Sequence, residues 1–210
     1  MSCQKQPLSE LLRPQQLGEL TLPRKDIDRL KRMVESGWIM NMIFYGKPGL
    51  GKTSAARTII RLVGQEHAEI NPSSLLQNVE GLRRGIEGFV TTCTTTDYKI
   101  CFIDEADYLP NKLQDGVRHL IELAPNHCRF LFTVNNLAKI NDALRSRMPQ
   151  ICFDIAYAER VSVIERLKAR IEAKLYELGV QFDATRLSEL VGIYFPDLRA
   201  IANKIEYEFA

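Results

Sequence analysis

No apolar run in this 210-residue sequence is long enough to cross a bilayer, and its polar start, MSCQKQ, predicts no secretory leader. Charge of one sign is also missing. The net charge is only +2, so any nucleic-acid contact has to come from a local basic stripe rather than from a strongly basic module. Cysteine is sparse: Cys3, Cys93, Cys101, Cys128 and Cys152 form no Cys-x-x-Cys pair and no cluster with histidine. That pattern argues against zinc and against a disulfide framework. It predicts reduced thiols of the cytosolic kind, with Cys101 and Cys128 in apolar core runs. Internal repeats and low-complexity segments are absent. What remains is an ordinary globular composition, 45% apolar and 26% charged, long enough to bury a core without metal or disulfide staples.

Short apolar runs alternate with helical patterns along most of the chain. Residues 41–45, 67–71, 99–104, 129–134 and 150–153 read as strands, 41–45 and 99–104 as buried ones. Residues 24–36 place Ile27, Leu30 and Val34 on one helical face, and 53–63, 82–92 and 112–123 also read as helices. Such alternation predicts a parallel sheet covered on both faces. After Asp154 the pattern changes. Val161, Ile164, Leu167, Ile171, Leu175 and Leu178 form one helical stripe, and two shorter helical patterns follow at 183–193 and 197–209. The expected architecture is an α/β domain over residues 1–154 and a small all-α domain over 155–210.

The first strand runs into Gly46-Lys47-Pro48-Gly49-Leu50-Gly51-Lys52-Thr53, which fits GxxxxGK[ST] at every required position. Glycines let such a backbone wrap closely around phosphate, with successive N–H groups and the positive end of the following helix facing the anion. Lys52 supplies a point charge to the outer phosphates, and the Thr53 hydroxyl suits Mg²⁺. The third strand ends in Asp104-Glu105. A carboxylate near Mg²⁺ and a base for the attacking water are the other parts that ATP hydrolysis needs. Asp104 is expected to hold the metal through its water shell and Glu105 to polarise the water. An acidic start to a helix would look the same in isolation; the pairing with the phosphate loop favours chemistry. Asp104-Glu105-Ala106-Asp107 also suggests a DEAD-box helicase, which needs two tandem domains, and there is room for one.

With Leu12-Arg13-Pro14, the sequence Phe132-Thr133-Val134-Asn135-Asn136, Leu144-Arg145-Ser146-Arg147-Met148 and Phe195-Pro196-Asp197-Leu198-Arg199, these motifs resemble AAA+ ATPases of the clamp-loader group, in particular the T-even-type phage small subunit and replication factor C small subunits. The resemblance spans essentially the whole chain. It implies a P-loop NTPase sheet sandwiched by helices and followed by a helical lid. ATP and Mg²⁺ would be the ligands, bound by Gly46, Pro48, Gly49, Gly51, Lys52, Thr53 and Ser54, with Arg13, Pro14, Leu20, Leu22 and Pro23 around adenine. It further implies Asn135 as a first sensor of the terminal phosphate or the water, although an Asn-Asn pair is also ordinary turn chemistry. Arg199 would be a second sensor, and Arg147 an arginine finger acting on a neighbouring subunit. The group's usual cysteine after that finger is Met148 here.

The implied partners are other clamp-loader subunits, a sliding clamp and primer–template DNA. Arg83 and Arg84, then Lys112 and Arg118, are candidate phosphate contacts, with Arg118 and Arg84 favoured over Lys112. The implied location is cytoplasmic, at the nucleoid or in the host cytoplasm for a phage protein. The group's helical collar domain has no counterpart before Ala210, so weak assembly and slow turnover in isolation are expected. The alternatives are another AAA+ machine, such as a helicase loader or branch-migration motor, and a stator subunit with a vestigial site.

Overall fold

A computed structural model describes residues 6–74 and 79–209; Cys3 lies outside them. The strands β1 (Met42–Tyr45), β2 (Glu66–Ile70), β3 (Lys99–Ile103), β4 (Cys128–Val134) and β5 (Gln150–Cys152) form a parallel sheet in the order β2-β3-β4-β1-β5. Every expected strand forms. β2 is shifted one residue toward the N-terminus, and β3 and β5 each stop one residue sooner, although the Asp104 and Phe153 amides still donate to the Ile70 and Tyr45 carbonyls at 2.9 and 2.8 Å.

β3 and β4 are buried along their whole length, as their unbroken apolar runs require for parallel strands covered on both faces. β2, on the sheet edge, instead alternates between exposed and half-buried residues. Helices α2 (Arg24–Glu35) and α3 (Lys52–Val63) cover one face, where Ile27, Leu30 and Ile59 pack with Phe44, Phe102 and Leu131. On the other face, α4 (Val79–Thr91) and α5 (Asn111–Leu123) set Leu82, Ile86, Val117 and Leu120 against Ile43, Cys101, Ile103 and Phe130. Successive residues along each strand thus serve opposite cores, the period-two consequence of the pleat.

A third apolar cluster joins α7 (Tyr157–Glu177), α8 (Ala184–Tyr194) and α9 (Leu198–Phe209), and it takes in Leu8 of the short α1 (Leu8–Leu11). The N-terminal arm therefore touches the helical layer as well as the sheet layer. Among the described residues no helix is long and apolar enough to cross a membrane.

One buried side chain ties the turns at the sheet's carboxyl end. The Gln114 carboxamide donates to the carbonyls of Leu109 at 3.0 Å and Lys139 at 2.9 Å and accepts from the Asn141 amide at 2.8 Å. Each buried group left unpaired costs about 1–3 kcal/mol. Gln114→Leu is therefore expected to lower the unfolding free energy by roughly 3 kcal/mol or more, read as an earlier denaturant midpoint. An unchanged midpoint would show that water replaces these bonds freely.

Candidate nucleotide site

The chain leaves β1, passes beneath β4 and β3, and returns as β2, so the carboxyl end of β1 lies where the strand order changes direction. Ligand clefts form at such points. The loop there turns through Gly49 and Gly51 at φ of 81° and 85°, where a side chain would be strained. A Cβ on Gly49 would also collide with the Asp197 carboxylate, and one on Gly51 would meet Leu198 at 3.2 Å. The amides of Gly49, Leu50 and Gly51 find no acceptor among the described residues. Unpaired N–H groups gathered at the start of α3 are the donor set that phosphate requires.

Lys52 is buried, and its ammonium donates to the carbonyls of Gly46 at 2.7 Å and Lys47 at 2.8 Å and to Asn135 Oδ1 at 2.8 Å. Burial pushes its pKa down, opposed by the carboxylates of Asp107, Asp154, Asp104 and Glu105. An anion would relieve that desolvation cost directly. The Thr53 hydroxyl donates to Asp104 Oδ1 at 2.8 Å, so the two expected metal-holding groups are already adjacent. Their all-oxygen chemistry fits a hard cation such as Mg²⁺.

Glu105 follows with φ 58° and ψ 45°, the one non-glycine residue at positive φ among the described residues. Strain of this kind costs on the order of 1–3 kcal/mol and collects at functional sites. It is held by Thr133, whose hydroxyl accepts the Glu105 amide at 3.0 Å and donates to Asp104. Both asparagines after β4 have separate work: Asn135 faces Lys52, while Asn136 caps the following turn by accepting the Ala138 amide at 3.0 Å.

These groups line a cavity of about 620 Å³ between the phosphate loop, the N-terminal arm and the helical layer. Pro48 through Ser54, Asp104, Glu105 and Asn135 line it, as do Arg13, Pro14, Leu20 and Arg199. Gly46 stands behind the loop and acts through its carbonyl. Leu22, expected near the base, is instead wholly buried under the arm, and Pro23 precedes α2 as its N-cap. Arg166 and Arg170 of α7 hold the arm through the carbonyls of Leu22 and Glu19. Thr58 of α3 holds it through the Pro14 carbonyl at 2.9 Å. At the other wall, the Leu198 amide donates to the Gly49 carbonyl at 3.0 Å, which sets the start of α9 directly on the phosphate loop. Asp197 caps that helix through the amides of Arg199 and Ala200, both at 3.0 Å.

Arg147 is not part of this cavity. It follows α6 (Asp142–Arg145) and binds Glu122 from Nε at 2.8 Å and Nη2 at 2.6 Å. The arginines singled out for DNA are ion-paired within their own helices: Arg83 with Glu80 and Glu87, Arg84 with Glu80, Arg118 with Glu122. Arg84 also lines a shallow groove between α4 and α5 together with His119 and Leu123. Three groups beside the site escape the sequence reading. Thr133 and Asp107 depend on β3–β4 pairing for their roles, and Asn71 lines the cavity at the end of β2.

A family model described as the ATPase family associated with various cellular activities (AAA) matches residues 42–154. Among curated proteins, replication factor C subunit 3 of Oryza sativa subsp. japonica is 29% identical over 210 residues, covering 95% of this chain and 56% of its own length. A putative replication factor C small subunit of Acanthamoeba polyphaga mimivirus is 32% identical over 162 residues (70% of this chain, 44% of its own). The replication factor C small subunit of Sulfolobus acidocaldarius is 28% identical over 205 residues (94% and 61%). The chain thus spans about half the length of the curated relatives it matches. Of solved structures, the Thermotoga maritima RuvB Holliday junction branch migration motor superposes with a TM-score of 0.64 at 17% identity, covering 94% of this chain and 73% of its own, a likeness of fold alone. The family model takes in the phosphate loop together with Asp104 and Glu105, and the chain belongs to the AAA family of ATPases, with replication factor C small subunits among its relatives.

Proposed function

We propose that this chain is an ATPase subunit of a DNA-polymerase clamp loader, binding and hydrolysing Mg·ATP to place a ring-shaped sliding clamp on primer–template DNA. The observation that carries the proposal is the separation of two arginines. Arg199 lines the cavity, and its guanidinium finds no acceptor among the described residues, whereas Arg147 lies outside it on Glu122. That separation supports a role for the first on the chain's own nucleotide and for the second on a neighbour's. An arginine finger supplied in this way is worth ~10³–10⁵ in rate.

Within one site, the loop amides and Lys52 hold the phosphates while Arg13 and Pro14 border the base. Thr53 and Asp104 would hold Mg²⁺, which when bound neutralises charge on the phosphate oxygens. Glu105 orients a water and takes its proton as the oxygen attacks the terminal phosphorus and the bond from that phosphorus to the ADP oxygen breaks, releasing ADP and phosphate. Asn135 and Arg199 touch that phosphoryl group from opposite sides of the site. Arg83, Arg84 and Arg118 would face the DNA backbone. Leaving their present carboxylates costs little, since exposed ion pairs are weak and screened by solvent. Such contacts position without reading sequence and weaken with salt.

ATP turnover measured with and without primer–template DNA and a sliding clamp tests this. Joint stimulation by both, declining as salt rises, is expected. Stimulation by DNA that ignores the clamp would point instead to a DNA motor, and absence of turnover under every condition to a stator. The replication factor C likeness, at 28–32% identity over most of the chain, favours the loader over a motor.

A further inference from the structure

Asp107 enters the site so far only as one of the charges that support the Lys52 ammonium, yet its carboxylate is buried. It sits on the single helical turn Ala106–Tyr108 after β3, outside the lining of the cavity. Its Oδ1 accepts the backbone amide of Asn135 at 3.3 Å, and the side chain of that same Asn135 accepts from Lys52 at 2.8 Å. The surrounding turns are braced against each other. Gln114 binds the carbonyls of Leu109 and Lys139, and the Lys139 ammonium lies 5.2 Å from the centre of the Tyr108 ring. That bracing holds without Asp107, so a buried carboxylate is a costly addition to it. What Asp107 adds is a fixed peptide plane at Asn135, and with it the direction in which the Asn135 side chain leaves the strand.

We propose that Asp107 is a positioning residue for ATP hydrolysis, which aims the Asn135 carboxamide at the terminal phosphate by holding the Asn135 amide. The proposal rests on the ATPase reading and on Asn135 as the group beside that phosphate. It gives the last carboxylate of the Asp104–Asp107 string a task distinct from those of Asp104 and Glu105. Those two act at the end of β3, whereas Asp107 reaches across to the end of β4.

A double-mutant cycle on the full chain, at saturating Mg·ATP and high protein concentration, tests it. Misplacement of a group by a fraction of its length costs rate more than binding, so Asp107→Ala is expected to lower kcat roughly ten- to hundredfold with KM for ATP nearly unchanged. In an Asn135→Ala background the same substitution should cost less than about twofold, because the residue it acts through is gone. Asp107→Asn keeps an oxygen that can accept the amide and should restore most of the rate. Asp107→Glu keeps the charge but overreaches by one methylene, and should behave like the alanine variant; it completes the cycle if Asp107→Ala unfolds. Equal losses from Asp107→Ala with and without Asn135 would overturn the proposal, as would an asparagine variant as slow as the alanine one. If Asn135→Ala alone leaves kcat untouched while Glu105→Gln abolishes it, the role of Asn135 falls and the proposal with it. If the parent chain itself turns over no ATP under these conditions, the ATPase reading itself has failed.

Discussion

Replacing Lys52 with alanine is expected to weaken Mg·ATP binding roughly a hundredfold or more, since losing one partner of a desolvated charge pair costs about 2–5 kcal/mol or above. The ammonium is buried and already leans on three oxygens, from Gly46, Lys47 and Asn135. Phosphate oxygens would take over some of those bonds while offering full negative charge. The substitution removes this charge and leaves the loop carbonyls pointing at the anion. Titration with a fluorescent ATP analogue measures the effect. An affinity within a few-fold of the parent would mean that phosphate binds elsewhere.

Glu105→Gln should separate binding from chemistry. Its carboxamide keeps the shape but loses the basic oxygen, and removal of a positioned base costs ~10²–10⁴ in rate. ATP affinity should stay close to that of the parent, because the phosphate-holding groups are untouched. The backbone supplies a second readout. Glu105 sits at φ 58°, a conformation that glycine adopts without penalty. Glu105→Gly should therefore abolish turnover without lowering Tm. A glycine variant that melts early would show that the left-handed turn is not strained, and a glutamine variant that still hydrolyses ATP would remove Glu105 from the mechanism.

How far the sequence foretold this site depends on how local each signal is. The phosphate loop is legible because eight consecutive residues carry the chemistry and an apolar strand precedes them. The strands are legible because parallel burial leaves apolar runs such as Ile100–Ile103. Thr133 and Asp107 are not, since their significance arises from the register that sets Ile103 beside Phe132 and brings the ends of β3 and β4 together. No spacing within one segment encodes that neighbourhood.

The pair Asn135-Asn136 illustrates the same point. Either could cap the turn, and only the fold assigns the cap to Asn136 and the contact with Lys52 to Asn135. The four-residue helices α1 and α6 are too short to show a helical period. The ion pairs of Arg83, Arg84 and Arg118, by contrast, join residues three or four apart and could have been read from the sequence.

Assembly is the part of the account that a single chain cannot perform, because Arg147 stands away from its own cavity. Mixing two inactive variants tests it most directly. On the proposed assembly, Arg147→Ala would keep an intact site but bring no finger to its neighbour, and Glu105→Gln would bring a finger but could not use one. The account predicts that each alone turns over ATP slowly and that an equimolar mixture at high protein concentration exceeds the sum of the two. A mixture whose rate equals that sum at every concentration would contradict it.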